Sequence, residues 1–237
     1  MRTTTSSLIT AACALALVGC AATEPTAQEP SPTAVTAAPA APTPTPTSSP
    51  VPPTDVPADV MLPETAWEPV GPDGARDDSR GAVSWLVDET CAAGSPPDGV
   101  AMRTVTQGSG EIESRVGVHQ VVVLADADAA VAEADRLAAA LTACPQQVPR
   151  DTMTYVVEPL DVGAQGIGLA TRFYGASDGG PLDDAMGTYL AVTRRGNAVT
   201  LVAVHGGEGT VRTAREIVTA NARAAWELLC AYDSAGC

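Results

Sequence analysis

The sequence predicts an α+β domain: an antiparallel sheet with helices packed on one face, stabilised by disulfides. Three observations lead there. Short β-rich runs alternate with turn signals, two stretches carry apolar residues at helical spacing, and each helical stretch ends on a cysteine. All three lie after residue 60; the first sixty residues have a different character.

Residues 8–19, "LITAACALALVG", form an apolar block of signal-peptide length, too short to span a bilayer. Residues 1–19 are therefore expected to be a signal peptide. The block runs into Cys20 through "LVG", a sequence that resembles the lipobox of bacterial lipoproteins. That resemblance implies cleavage before Cys20 and lipidation of its sulfur and new amino group. The expected location is the extracytoplasmic side of the cell membrane, with the chain anchored by lipid and not spanning. Residues 20–60 follow as a tether, and 21–60 hold eleven of the twenty prolines among Thr and Ala. Such composition builds no core and favours extended polyproline II, with an upper reach on the order of 120 Å. The Thr-Pro repeats are candidate acceptors of O-linked sugar.

Residues 61–237 suit one domain. "MLPETAW" opens it, with Leu62 and Trp67 as expected core contacts. "RGAVSWLVDETCAAG" reads as a short helix or turn reaching Cys91. Strands are expected in "GVAMRTVT" and "SRVGVHQVVVL". A helix follows over "DADAAVAEADRLAAALTACP", capped by Asp126 or Asp128 and stopped by Pro145. Its apolar stripe is Val131, Ala134, Leu137, Ala138 and Leu141, with Glu133 and Arg136 off the stripe. "MTYVVEP" and "GIGLATRFYG" read as strands, and "TYLAVTRRGNAVTLVAVH" as a hairpin turning at Gly196-Asn197. The last helix, about 210–230, buries Val211, Ala214, Val218, Ala225 and Leu229. Strands followed by a helix and a cysteine, twice over, admit a duplicated half-domain as an alternative.

Of six cysteines, Cys13 leaves with the signal and Cys20 takes lipid, so Cys91, Cys144, Cys230 and Cys237 remain. Four cysteines in an exported domain imply two disulfides, and three connectivities are open. Cys91–Cys144 and Cys230–Cys237 are preferred because Cys144 and Cys230 each close a helix and can capture a neighbouring segment. No C-x-x-C pair suggests zinc.

All thirteen basic residues are arginine, and after removal of Arg2 twelve face twenty-eight acids, a formal charge of −16. Such a chain is repelled by phosphate backbones, which excludes nucleic acid as a natural partner. Without lysine there is no Schiff-base chemistry. "GAQGIG" precedes a strand and not a helix, so it is no phosphate loop. There is no G-x-S-x-G elbow, and His119 sits among valines as a core histidine. "SDGGPLDDAMG", with Asp178, Asp183 and Asp184, reads as a solvated acidic loop. No catalytic residue, metal or cofactor is assigned.

The segments "MLPETAW", "VHQVVVLADADAAVAEADRLAAALTAC", "LDVGAQGIGL" and "RRGNAVTLVAV" together resemble the PknH-like extracellular sensor domain of actinobacteria, over about residues 61–232. The family includes the outer part of a mycobacterial serine/threonine kinase and free-standing lipoproteins. The resemblance implies an antiparallel sheet with helices on one side, stabilising disulfides, and a cleft proposed to bind an unidentified ligand. Strand parity supplies a candidate surface. If Ile167, Leu169, Thr171 and Phe173 face the helices, Arg172 and Tyr174 face away, and Gln120, Tyr189 and Thr200 join them in a matching register. An arginine with two tyrosines on an open sheet face suits a carboxylate, sugar or peptide. The expected function is a non-catalytic, sensor-like lipoprotein domain binding a small molecule or a protein. The alternatives are a carrier of lipid or glycolipid, an envelope hydrolase, and a structural partner of another envelope protein.

Overall fold

Among the described residues, seven antiparallel strands form one sheet in the order β1-β2-β3-β7-β6-β5-β4. They are β1 (Arg76–Arg80), β2 (Ala101–Gln107), β3 (Val116–Val123), β4 (Met153–Pro159), β5 (Ala164–Phe173), β6 (Gly187–Arg195) and β7 (Ala198–His205). The structure, a computed structural model, describes residues 51–237 apart from 72–73, 88–90, 92, 110–113, 147–152 and 175–179. The expected signal peptide, Cys20, most of the tether and Asp178 lie outside the described residues. Among the described residues no helix is long and apolar enough to cross a membrane.

Helix α1 (Ala127–Ala143) links β3 to β4, and α2 (Val211–Leu228) follows β7. The Asp126 side chain accepts from Ala129 N at 2.8 Å and Thr210 Oγ1 accepts from Thr213 N at 3.2 Å, so each helix begins on a side-chain cap. The hairpin turns at Gly196, whose φ of 55° beside a non-positive φ at Asn197 is the type II′ pattern.

The fold class is as expected, but the helices do not share a face. On β6, Leu190 and Val192 pack with Leu137 and Leu141 of α1, whereas Tyr189 and Ala191 pack with Val218 and Ala222 of α2. Neighbouring residues of a strand point to opposite faces, so α1 and α2 lie on opposite sides. The physical reason is that the central strands are apolar at both parities. β7 presents Val199, Leu201 and Ala203 to one helix and Val202 and Val204 to the other, and a strand buried on both faces needs two covers. A two-fold axis relating antiparallel neighbours such as β3 and β7 would keep both helices on one face, so the duplicated half-domain finds no support.

Both expected disulfides are present, Cys91–Cys144 and Cys230–Cys237. Two local expectations are corrected. Residues 82–87 form no helix; they are an irregular strap laid on the α1 face, with Trp85 buried and Val87 N donating to Trp85 O at 2.9 Å in a tight turn, and 88–90 and 92 of the expected helix or turn lie outside the described residues. Glu133 is buried on α1, because Trp85 Nε1 and Arg136 satisfy its carboxylate at 2.7 Å each. On the α2 face, residues 55–70 are packed onto the sheet, so the folded region begins a few residues before 61.

Candidate ligand cleft

The two faces are covered to different extents. On the α1 face the helix occupies one end of the strands, and at the other end the sheet floors an open cleft of about 430 Å³. Val116 and Val118 of β3 and Thr188 of β6 form its centre, and Phe173 and Met153 form one flank. Leu86 and Val87 of the strap form the roof, with Thr106 and His205 as polar groups beside them. The volume falls in the range of about 300–1,000 Å³ typical of small-molecule sites, which pair apolar walls with few polar groups.

The roof is held by specific bonds. Leu86 N donates to Gln120 Oε1 at 2.7 Å, and Gln120 Nε2 donates to Thr104 Oγ1 at 3.1 Å and to Ser84 O at 3.3 Å. His205 Nε2 lies 2.9 Å from Leu86 O; a carbonyl only accepts, so this nitrogen carries the proton. Trp85 Nε1 on Glu133 and the Cys91–Cys144 bridge tie the strap to α1. Arg136 Nη1 adds a bond to Ala93 O at 2.6 Å.

The surface expected from strand parity is not assembled as one open face. Arg172 shares the parity of Ala170 and so lies on the α2 side, with Tyr189 and Thr200. That side is covered: Tyr189 and Thr200 are each 1% exposed. Tyr189 Oη donates to Glu158 Oε1 at 2.7 Å, the same oxygen takes Arg215 Nε at 2.8 Å, and Arg215 also pairs with Asp183. Burial first, then the bond to Glu158, holds the Tyr189 phenol above its ordinary pKa. The Arg215 hydrogen bond lowers that of Asp183, and Arg212 engages Asp184 at 2.7 Å, so both described acids of the expected solvated loop are ion-paired. Gln120 pairs in register with Leu201 and lies on the α1 side, fully buried under the strap. Tyr174 is exposed, but β5 ends at Phe173 and a φ of 61° breaks the alternation at that point. Among the described residues, no group of three or more His, Cys, Asp or Glu is placed to hold a metal.

Sequence reasoning assigned no ligand-facing role to Phe173, Met153, Leu86 or His205. The usable signal was Phe173, the one phenylalanine of the chain, on the strand face already expected to be apolar. A second, more polar depression of about 280 Å³ lies between Val70, Gly74, Ser109, Arg115 and Glu208, with Arg115 Nη2 on Glu208 O at 3.2 Å. It has little apolar wall, so the cleft is the better ligand site.

No family model matches the chain, and no curated protein matches its sequence. Among solved structures, it is similar to the extracellular domain of PknH from Mycobacterium tuberculosis, with 16% identity and a TM-score of 0.49, over 70% of this chain and 91% of that one. A likeness this distant says nothing of ligand or activity.

Proposed function

We propose that this chain is an exported, lipid-anchored domain that binds a small, mainly apolar molecule in the cleft of the α1 face, without catalysing a reaction. The observation that carries the reading is the cleft itself. Leu86, Val87, Phe173 and Met153 converge on a valine floor, with Thr106, Thr188 and His205 supplying the few polar contacts. "LALVGC" and the Pro-rich tether support the anchor at Cys20. The open volume suits one small ligand, which favours sensing over carriage of a two-chain lipid.

Native mass spectrometry of the protein released gently from its own membranes tests this reading. The expected result is a co-purifying mass on the folded domain that is lost in Phe173→Ala. A protein that stays free of ligand under repeated gentle release, or a ligand retained unchanged by Phe173→Ala, would overturn the assignment of the cleft.

A further inference from the structure

Residues Asp55 to Val70 form a belt across the α2 face, built from two short 3-10 segments (Ala58–Val60 and Glu64–Val70) and extended chain between them. Val56, Met61, Leu62 and Trp67 are buried anchors. Gly117 of β3 gives Trp67 its seat, since a Cβ there would lie 2.2 Å from the indole. Four belt carbonyls accept from side chains of the domain. Tyr232 Oη reaches Asp55 O at 2.6 Å, Arg103 Nη1 reaches Val56 O at 3.3 Å, Arg76 Nη2 reaches Leu62 O at 3.0 Å, and Asn221 Nδ2 reaches Ala66 O at 3.0 Å.

One belt bond runs the other way and is chemically exacting. Leu62 N donates to His119 Nδ1 at 3.0 Å. The other ring nitrogen, Nε2, lies 3.1 Å from Thr200 Oγ1, whose hydroxyl donates to Gln120 O at 3.1 Å. With Thr200's proton committed, Nε2 must carry the ring proton and Nδ1 must stay bare. Protonating Nδ1 sets two N–H groups against each other and breaks the belt bond. The ring is fully buried, and the charge acting on it is Arg76 of β1, which opposes a second positive charge. Thr200 of β7, on the other ring nitrogen, is neutral, and Arg103 of β2, one pair along on the same face, is paired with Asp78 at 2.7 Å. Burial, then Arg76, pushes the imidazole down to about 3.

We propose that His119 is an acid-sensitive latch: protonation of its Nδ1 releases Leu62 and frees the belt from the sheet, while the α1-side core stays folded. That core contains no belt residue. The sign follows from the lowered value. The closed belt is fully favoured above the ordinary histidine pKa of ~6.5, and the advantage is lost as pH falls from there towards about 3. The belt-opening constant therefore rises by a factor approaching tenfold per pH unit below ~6.5, or about 50-fold between pH 6.5 and 4.5. Asp78 and Asp183, held below the ordinary carboxylate range by Arg103 and Arg215, do not titrate in that window. The other histidine, His205, faces the cleft.

The test is amide hydrogen exchange on the mature chain, read by NMR from pH 7.0 to 4.5 and corrected for intrinsic rates. The expected result is a loss of protection at Leu62 and Trp67 of up to about tenfold per pH unit below 6.5, with Leu169 and Leu190 unchanged. In His119→Gln, whose amide can accept from Leu62 and donate to Thr200 without titrating, protection stays flat. Belt and β5–β6 amides failing together, a belt flat to pH 4.5, or His119→Gln keeping the wild-type dependence would each overturn the latch. If His119→Gln does not fold, the wild-type ring nitrogen shifts decide. Protonation in step with belt opening supports the proposal, and a ring that stays neutral while the belt opens sinks it.

Discussion

Removing the two disulfides in turn, as Cys91→Ala/Cys144→Ala and Cys230→Ala/Cys237→Ala, should cost unequal amounts of stability. The bridges close loops with sequence separations of 53 and 7. Loop entropy then gives losses of about 4 and about 2.4 kcal/mol at 25 °C. The difference, about 1.8 kcal/mol, depends only on the ratio of loop lengths and is firmer than either value. Packing acts in the same direction. Cys91 and Cys144 are buried in the α1-side core, so alanine there also removes sulfur contacts, whereas Cys237 is exposed. Urea unfolding followed by far-UV circular dichroism is the assay. With m near 2 kcal/mol/M, the midpoints should fall by about 2 M and about 1.2 M. Equal losses, or a larger loss at the C-terminal pair, would refute the loop argument and mean that the unfolded chain is not the state these bridges restrict.

Three further outcomes are expected. Glu133→Ala leaves the Trp85 indole N–H unpaired under the strap and Arg136 without its carboxylate, and should cost about 2–4 kcal/mol by urea melts. Trp85→Phe, which removes the donor with the need for it, should lose about 1 kcal/mol through the hydrogen bond, and a coupling near zero in the double variant would show that the pair does not hold the strap. Cys20→Ala should move the protein from the membrane fraction to the medium without acyl mass, by fractionation and intact-mass measurement; a membrane-bound alanine variant would remove the lipid from the account.

Six of the seven strands and both helices were legible because each follows its own period between clear stops. β1, "RDDSR", was not. It is an edge strand whose charges discourage further pairing, and those charges erase the apolar alternation that marks a strand. The strap is only half legible, as a turn and not as a roof, because its order comes from distant partners, Gln120, Glu133 and His205, and not from a local repeat. Apolar periodicity puts Glu133 off the stripe because it cannot see a carboxylate satisfied by a tryptophan N–H. The double cover of the sheet was visible in "AVTLVAV", apolar at both parities, which signals a strand buried on both faces. Parity correctly set Arg172 opposite Leu169. Which face would stay bare depends on how far α1 reaches along the strands, and no period in the sequence encodes that.

The two irregular segments that complete the domain are pinned to the same place. Gln120, on a central strand, holds the strap with its side-chain amide on the α1 face, and its carbonyl accepts from Thr200 on the α2 face, where Thr200 supports His119 and so the belt. Both segments lack a ladder of their own, so their backbone groups must find partners elsewhere or remain unsatisfied. Paired strands on either side make the β3–β7 centre the most constrained part of the sheet, so anchors there are the least able to drift. Buried polar side chains at 119, 120 and 200 cost desolvation in a region that apolar residues would otherwise fill. That cost is offset only if all their hydrogen-bonding groups are engaged, and the principal ones are engaged by the strap and the belt. The polar residues inside this sheet are therefore best understood as fastening points for the cleft roof and the tether-proximal belt, and not as a ligand surface in their own right.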